Sequence, residues 1–312
     1  LEKDPFSLIE GILIGCYALE VRHAFLYLRE EYSFLAERLH KAIDQAAGEG
    51  FCDGVVIKLV QGAGAYVCGE ESALMESIEG KRGEPRYRPP FPTDRGLFGK
   101  PTVVNNVETL MNIPWIITHG ARSFREIGVA GNAGTKVFCV SGDVERPGVY
   151  ELALGSALEE IVYEHAGARD VQMVQVGGGG GRIVPVEKID LPLTYETALG
   201  SGAVMVMDRQ RDILEVVHCA LEFFAEESCG KCAPCREGTE VLLATLNRIR
   251  EGNGVPGDLQ AMEELGTVMQ MSSLCGLGQS APVPLLDSLK YYRSVYESRI
   301  EQSRFVLGLR GY

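Results

Sequence analysis

Apolar residues recur at helical spacing over residues 8–19 and again, along one face only, over residues 33–47. Between them residues 24–28 form a short unbroken apolar run. Val55, Val56 and Ile57 make residues 54–60 a second β-rich run, and residues 70–78 return to a helical period. Alternating β and α segments of this length predict a mostly parallel sheet with helices packed against it. Ligands of such sheets lie beyond the carboxyl ends of the strands, which is where the glycine-bearing loop from Gln61 to Glu71 falls. A long irregular stretch follows at residues 81–101, dense in Pro, Arg and Gly, a length that usually signals function. A helix over residues 106–119 closes the first third.

The middle third reads as strands around one helix. Residues 136–141 form a strand, Arg146 to Tyr150 a turn into a second, residues 157–165 a short helix and residues 171–176 a third strand, which implies a small α+β domain. The third strand enters five consecutive glycines, Gly177 to Gly181. That run lacks the Lys-Ser/Thr of a phosphate-binding loop and no good helix follows it, so it reads as a flexible turn. From residue 212 the pattern is helical to the end, with helices over 213–226, 236–250, 259–271 and 283–302.

Composition narrows the function classes. The chain has 312 residues, enough for two or three domains, and is 46% apolar and 23% charged, the balance of an ordinary globular protein. Thirty basic against 43 acidic side chains give a net charge of −13, and no Lys/Arg block is present, which argues against nucleic-acid binding. The best membrane candidate, residues 8–19, is interrupted by Glu10 and falls short of the ~20 residues a span needs.

The nine cysteines carry the most specific signal. An odd number without a secretory signal fits a reducing cytoplasm better than a disulfide framework. Cys16, Cys52, Cys68, Cys139 and Cys219 are scattered in apolar or helical surroundings and read as small core hydrophobes. Cys229, Cys232 and Cys235 instead form a C-x2-C-x2-C run, and Cys275 follows after a gap of 39 residues. Two-residue spacers bring three thiolates to one face of a tight loop, which suits three irons of a cubane cluster with a distant fourth ligand. Zinc more often takes two C-x-x-C knuckles or adds histidine, and none of the five histidines is near. A buried cluster of free thiols is the other alternative. Lys231 and Arg236 flank the run, either as cations near thiolates or as solvated surface residues.

Three segments together resemble one known family. They are Gly64-Ala65-Tyr66-Val67-Cys68-Gly69-Glu70-Glu71-Ser72-Ala73-Leu74; Arg88-Pro89-Pro90-Phe91-Pro92 leading to Val104-Asn105-Asn106-Val107-Glu108-Thr109; and Glu227-Ser228-Cys229 through Gly238-Thr239 with Ser273-Leu274-Cys275-Gly276-Leu277-Gly278. In order and spacing they are similar to the NADH-oxidising flavoprotein subunit of respiratory complex I and the diaphorase subunits of NAD-linked hydrogenases and formate dehydrogenases. The likeness runs through essentially the whole chain. It implies α/β, α+β and α parts in succession. These are a Rossmann-like FMN and NADH domain over 1–127, incomplete at its N-terminus, a ubiquitin-like β-grasp domain over 128–208, and a helical [4Fe-4S] domain over 209–312.

The resemblance also implies the chemistry: NADH binds beside FMN, hydride passes to the flavin, and single electrons go on to the [4Fe-4S] cluster. Cys229, Cys232, Cys235 and Cys275 would hold that cluster. Tyr66, Gly69, Glu70 and Glu71 would line the flavin and nicotinamide site, Asn105, Asn106 and Thr109 would contact FMN, and Phe91 would stack on NADH. These residue types suit the task, since glycine admits a flat ring, amides and hydroxyls offer hydrogen bonds, and an aromatic face orients a base. The plainer reading is that Glu70 and Glu71 start a helix, where acids favour the positive dipole end, and that Phe91 is a core residue pinned by its prolines. No acid/base residue is needed, because hydride transfer is the cofactor's chemistry.

Partners implied are a thioredoxin-like [2Fe-2S] subunit and a further iron–sulfur or catalytic subunit, in the cytoplasm or on the cytoplasmic or matrix face of a membrane-associated complex. The family's upstream glycine-rich loop and acidic segment, which help hold FMN and NADH, are not in this sequence, so the working protein is expected to be longer. A non-catalytic iron–sulfur relay or scaffold subunit without flavin is the competing expectation.

Overall fold

The computed structural model describes the backbone of residues 1–308 and the side chains of residues 1–301; the last four residues of the expected helical domain lie outside the described residues. The chain divides into two compact units, Leu1–Phe124 and Arg125 onward.

In the first unit, helix α1 (Pro5–Ala18) opens on Asp4, whose carboxylate accepts from the Ser7 amide at 3.1 Å, with Pro5 at the first helical position. Strand β1 (His23–Leu28) and strand β2 (Val56–Gln61) pair in parallel, from His23↔Val56 to Leu28↔Gln61. The crossover between them is α2 (Ala36–Gly48), whose buried Leu39, Ala42, Ile43 and Ala46 repeat at helical spacing and seal the pair. Next come α3 (Glu71–Ile78), a short α4 (Pro92–Arg95), α5 (Val107–His119) and α6 (Ala121–Arg125). The irregular stretch between α3 and α5 is held by ion pairs in place of a hydrogen-bond ladder. The Arg86 guanidinium reaches Glu76 at 2.5 Å, Glu79 at 2.9 Å and the Gly96 carbonyl at 3.0 Å. Burial pushes the Glu79 carboxyl up, but hydrogen bonds from Lys81, Arg86 and the Phe98 amide prevail and bring it down to about 2.

The second unit begins with a small antiparallel pair, β3 (Gly128–Val129) and β4 (Asn132–Ala133). A five-stranded sheet follows: β5 (Thr135–Gly142), β6 (Gly148–Ala153), β7 (Val171–Val176), β8 (Arg182–Pro185) and β9 (Ala203–Asp208), in the order β6-β5-β9-β7-β8. Only the β5–β9 pairing among these is parallel. A π-helical turn, Glu160–His165, stands where a short helix is expected, and its Ile161 and Val162 join Phe138, Val140, Val174, Val204 and Val206 in the core. The helices are α7 (Ile213–Glu227), α8 (Ala233–Arg250), α9 (Gly257–Ser272), α10 (Gly276–Ser280) and α11 (Val283–Gly308). No helix among the described residues is long and apolar enough to cross a membrane.

The structure corrects several expectations. β8 and β9 are strands that local pattern does not reveal: β8 is a four-residue edge strand ending in proline, and β9 is an apolar run whose extended form depends on neighbours on both sides. α8 starts at Ala233, not Arg236, because Pro234 suits a helix's first turn. The cysteine run therefore does not lie wholly between helices: Cys232 is the N-cap of α8 and Cys235 lies inside its first turn. Of the five cysteines read as core hydrophobes, Cys16, Cys52 and Cys68 are buried, whereas Cys139 and Cys219 are exposed. Cys139 alternates with the buried Phe138 and Val140 and so faces outward on β5. The glycine run, expected as a flexible turn, is held in part: Gly179 accepts from the Gln175 side-chain amide at 2.9 Å, and Gly180 lies close against Ser280 and Phe224.

Candidate functional site

The four motif cysteines converge in the second unit. Gly230, at φ +77°, turns the chain between Cys229 and Cys232, and its carbonyl accepts from Arg236 at 2.7 Å. Arg236 thus braces the cysteine loop and also pairs with Glu237 at 2.8 Å. The fourth cysteine, Cys275, is the N-cap of α10. Its neighbour Leu274 donates its amide to the Cys232 sulfur at 3.5 Å, which ties the distant segment to the first three. The Ser228 hydroxyl lies 3.4 Å from the Cys235 sulfur. Cys235 is buried, while the other three are partly exposed. Burial pushes the Cys235 thiol up; the Ser228 hydrogen bond opposes this, and charge on Cys232, Cys275 and Cys229 adds to the rise.

This donor set fits an iron–sulfur cluster. Four thiolates gathered in a half-buried place repel one another unless a cationic core binds them. Amide and hydroxyl donors to the sulfurs are the contacts such ligands use. The buried Ser273 hydroxyl, two residues before Cys275, has no hydrogen-bond partner within the described structure, so a polar atom is left over beside the site. Ser228, Leu274 and Ser273 are contributions that sequence reasoning missed; their adjacency to the cysteines was the available signal.

A second group of donors lies on α7, where Glu215, His218 and Cys219 bring ligand atoms within 4.8 Å of one another. The spacing i, i+3, i+4 places them on one helix face. Glu215 is already taken up by an ion pair with Arg250.

In the first unit, the eight expected cofactor residues lie on three segments. Tyr66, half-buried, opens a 3-10 turn, Tyr66–Gly69, in the loop beyond the carboxyl end of β2, and Gly69 is exposed. Glu70 is the N-cap of α3: one carboxylate oxygen accepts from the Ser72 and Ala73 amides, each at 2.9 Å. Its other oxygen accepts from Arg88 at 2.5 Å, and Glu71 lies 2.7 Å from the same guanidinium nitrogen. Phe91 is 52% exposed, so it is not the pinned core residue of the plainer reading. Asn106 caps α5 by accepting from the Glu108 amide at 2.7 Å, and Asn105 and Thr109 stand exposed on either side of that helix start. A cavity of about 220 Å³ runs along β1 to Val104 and Asn105. Of the eight residues only Asn105 lines it, and it is smaller than the ~300 Å³ at which ligand pockets begin, so it is not by itself a flavin cleft. Arg88, which joins Glu70 to Glu71, is a residue that sequence reasoning did not single out.

Comparison with known proteins places three regions of the chain in known families. Residues 1–115 match the Nuo51 FMN-binding domain, residues 137–187 the SLBB domain, and residues 215–299 the NADH-ubiquinone oxidoreductase-F iron–sulfur binding region. The last of these spans all four motif cysteines. Together they define a mixed α/β oxidoreductase subunit of the FMN and [4Fe-4S] class.

Over 97% of its length the chain is 39% identical to the second F-type NADH-quinone oxidoreductase subunit of Rhizobium meliloti (strain 1021), covering 76% of that protein. It is 38% identical to the NAD-reducing hydrogenase HoxS subunit alpha of Cupriavidus necator, covering 96% of this chain and 51% of that one. A crystal structure of an NAD+-reducing [NiFe]-hydrogenase in the H2-reduced state superposes with a TM-score of 0.92 at 41% identity, over 96% of this chain and 53% of the other. The chain belongs to the family of F-type NADH-quinone oxidoreductase subunits, and it spans about three quarters of the first of these relatives and about half of the hydrogenase chains.

Proposed function

We propose that this protein is the NADH-oxidising electron-input subunit of a multi-subunit oxidoreductase. The observation that carries the proposal is the convergence of Cys229, Cys232, Cys235 and Cys275 on one chain with a region matching FMN-binding domains. Bound FMN would supply the two-electron to one-electron conversion between NADH and the cluster. The residues of the chain hold and orient. The cysteines ligate the cluster, and the Leu274 amide and Ser228 hydroxyl dampen charge on its sulfurs. Exposed Gly69 leaves room for a flat ring. Phe91 offers an aromatic face to NADH, and Asn105, Asn106 and Thr109 offer hydrogen bonds to FMN. Glu70 and Glu71, tied together by Arg88, fix the turn that carries Tyr66.

In this reading the chain comprises part of a Rossmann-like domain to residue 127, a β-grasp domain over 128–208 and a helical cluster domain from 209. The parallel β1–β2 pair, the five-stranded sheet and the helices α7 to α11 support that division. Electrons leave toward a thioredoxin-like [2Fe-2S] subunit and a further iron–sulfur or catalytic subunit, in the cytoplasm or at the cytoplasmic or matrix face of a membrane-associated complex.

The test is an absorption spectrum of the purified protein before and after NADH. A flavin band that bleaches together with a broad iron–sulfur band is the expected result. An iron–sulfur band with no releasable flavin would replace the proposal with a relay subunit.

A further inference from the structure

Of the five glycines that join β7 to β8, Gly179 and Gly180 lie against side chains of α7 and α10. A side chain at Gly179 would meet the Phe223 ring at 3.5 Å, an ordinary contact. A side chain at Gly180 would have its Cβ 2.6 Å from the Ser280 hydroxyl, 2.8 Å from the Ser280 Cβ and 2.9 Å from the tip of Phe224. All three distances are closer than packed atoms allow, so at position 180 only glycine fits without movement of its neighbours.

The neighbours belong to α10, which Cys275 caps, and to α7, which leads into the cysteine run. Ser280 ends α10, whose N-cap is Cys275 five residues earlier, about 7.5 Å along the helix at roughly 1.5 Å per residue. Phe224 is wholly buried near the end of α7, five residues before Cys229. Nor has α10 room to retreat. A Cβ at Gly278 would lie 2.8 Å from the Cys235 Cβ and 2.7 Å from the Ser273 hydroxyl, so the α10 backbone already rests against Cys235. Next to this seam the sheet is locked to α11, because buried Asp287 accepts twice from Arg182, at 2.7 and 2.9 Å, and from the Ile183 amide at 3.1 Å. The sheet side therefore cannot yield easily either.

We propose that Gly180 is a positioning residue for the cluster: by having no side chain it sets the seat of α10, and through α10 the places of Cys275 and Cys235. The proposal rests on the assignment of the four cysteines as ligands. Cluster properties follow ligand placement and the hydrogen bonds to the sulfurs, so a shift of α10 reaches them through Cys275 and through the Leu274 amide on Cys232.

The experiment compares the full chain with Gly180→Ala, Gly179→Ala and the double variant Gly180→Ala with Ser280→Gly. It reads the electron paramagnetic resonance spectrum of the reduced cluster, the rate of iron loss to a chelator, and folding by circular dichroism. Gly180→Ala is expected to shift the resonance spectrum and to lose iron about tenfold faster, as overpacking against a ligand-bearing helix implies. Gly179→Ala, in the same turn, is expected to match the parent chain, and Ser280→Gly to return iron loss toward the parent rate. A spectrum and iron-loss rate unchanged by Gly180→Ala would overturn the proposal. So would equal damage from Gly179→Ala, or, should Gly180→Ala not fold, failure of Ser280→Gly to restore folding. If the parent chain itself shows no cluster signal, it is the ligand assignment that has failed.

Discussion

Four cysteines in the second unit arrive from two separated segments and meet in a half-buried place, with a hydroxyl and an amide already directed at their sulfurs. In the first unit the residues expected to meet FMN and NADH lie on exposed helix starts and loops, and several are already engaged: Glu70 and Asn106 cap helices, and Glu71 pairs with Arg88. The difference is one of organisation. A cluster needs direct bonds from side chains, so its residues are organised around one another. A flavin or nicotinamide is held by a surface, so the residues facing it are organised by the backbone beneath them, and a cap serves both purposes at once.

That comparison is open to test. The largest effect is expected from Cys232→Ser, which should abolish the cluster's resonance and visible absorption while any flavin absorption survives; retention of the cluster signal would break the assignment. Next, Arg182→Ala leaves the buried Asp287 carboxylate without its guanidinium and should cost about 1–3 kcal/mol in the second unit, read from chemical denaturation by circular dichroism. A cost near zero would show that this ion pair adds nothing to the hold between sheet and bundle. A smaller loss belongs to Glu70→Ala, about 1 kcal/mol for the cap of α3, while Glu70→Gln should retain much of it. Trp115, the single tryptophan, lies on α5 and reports unfolding of the first unit by its fluorescence.

The mildest effect is on acid sensitivity. Glu79 is held down at about 2 in the folded protein, below its ordinary carboxylate value. Its contribution is therefore fully present above the ordinary value of about 4.3 and is lost as pH falls through about 2. Glu79→Gln should flatten the stability-versus-pH slope of the first unit within that window, and an unchanged slope would mean that the Arg86 network adds nothing to its stability.

Legibility from sequence follows the same division. The cysteine spacing points to the cluster ligands because thiolate chemistry is specific and the spacer lengths are short-range geometry. α2 is legible because Leu39, Ala42, Ile43 and Ala46 repeat with the helical period. The start of α8 is not, because Pro234 reads as part of the cysteine loop although proline is at home in a first turn. Arg88 escapes notice because its importance lies in meeting Glu70 and Glu71 across 18 and 17 residues of chain, which no local pattern records. Gly180 is misleading for a similar reason: poly-glycine looks flexible when its neighbours in space are unknown.

The sequence by itself determined the spacing of the four motif cysteines, the acidic character, the βα pattern of the first unit and the helical character of the last third, because these rest on residue type and on periods a few residues long. Only the tertiary structure decided that β8 and β9 complete a five-stranded sheet, that Cys139 and Cys219 face outward, that Glu70 is both cap and ion-pair partner, and that the glycine run is a tight seat for α10. Each of those depends on atoms brought together from distant parts of the chain, where close packing selects among conformations that local preferences leave equal.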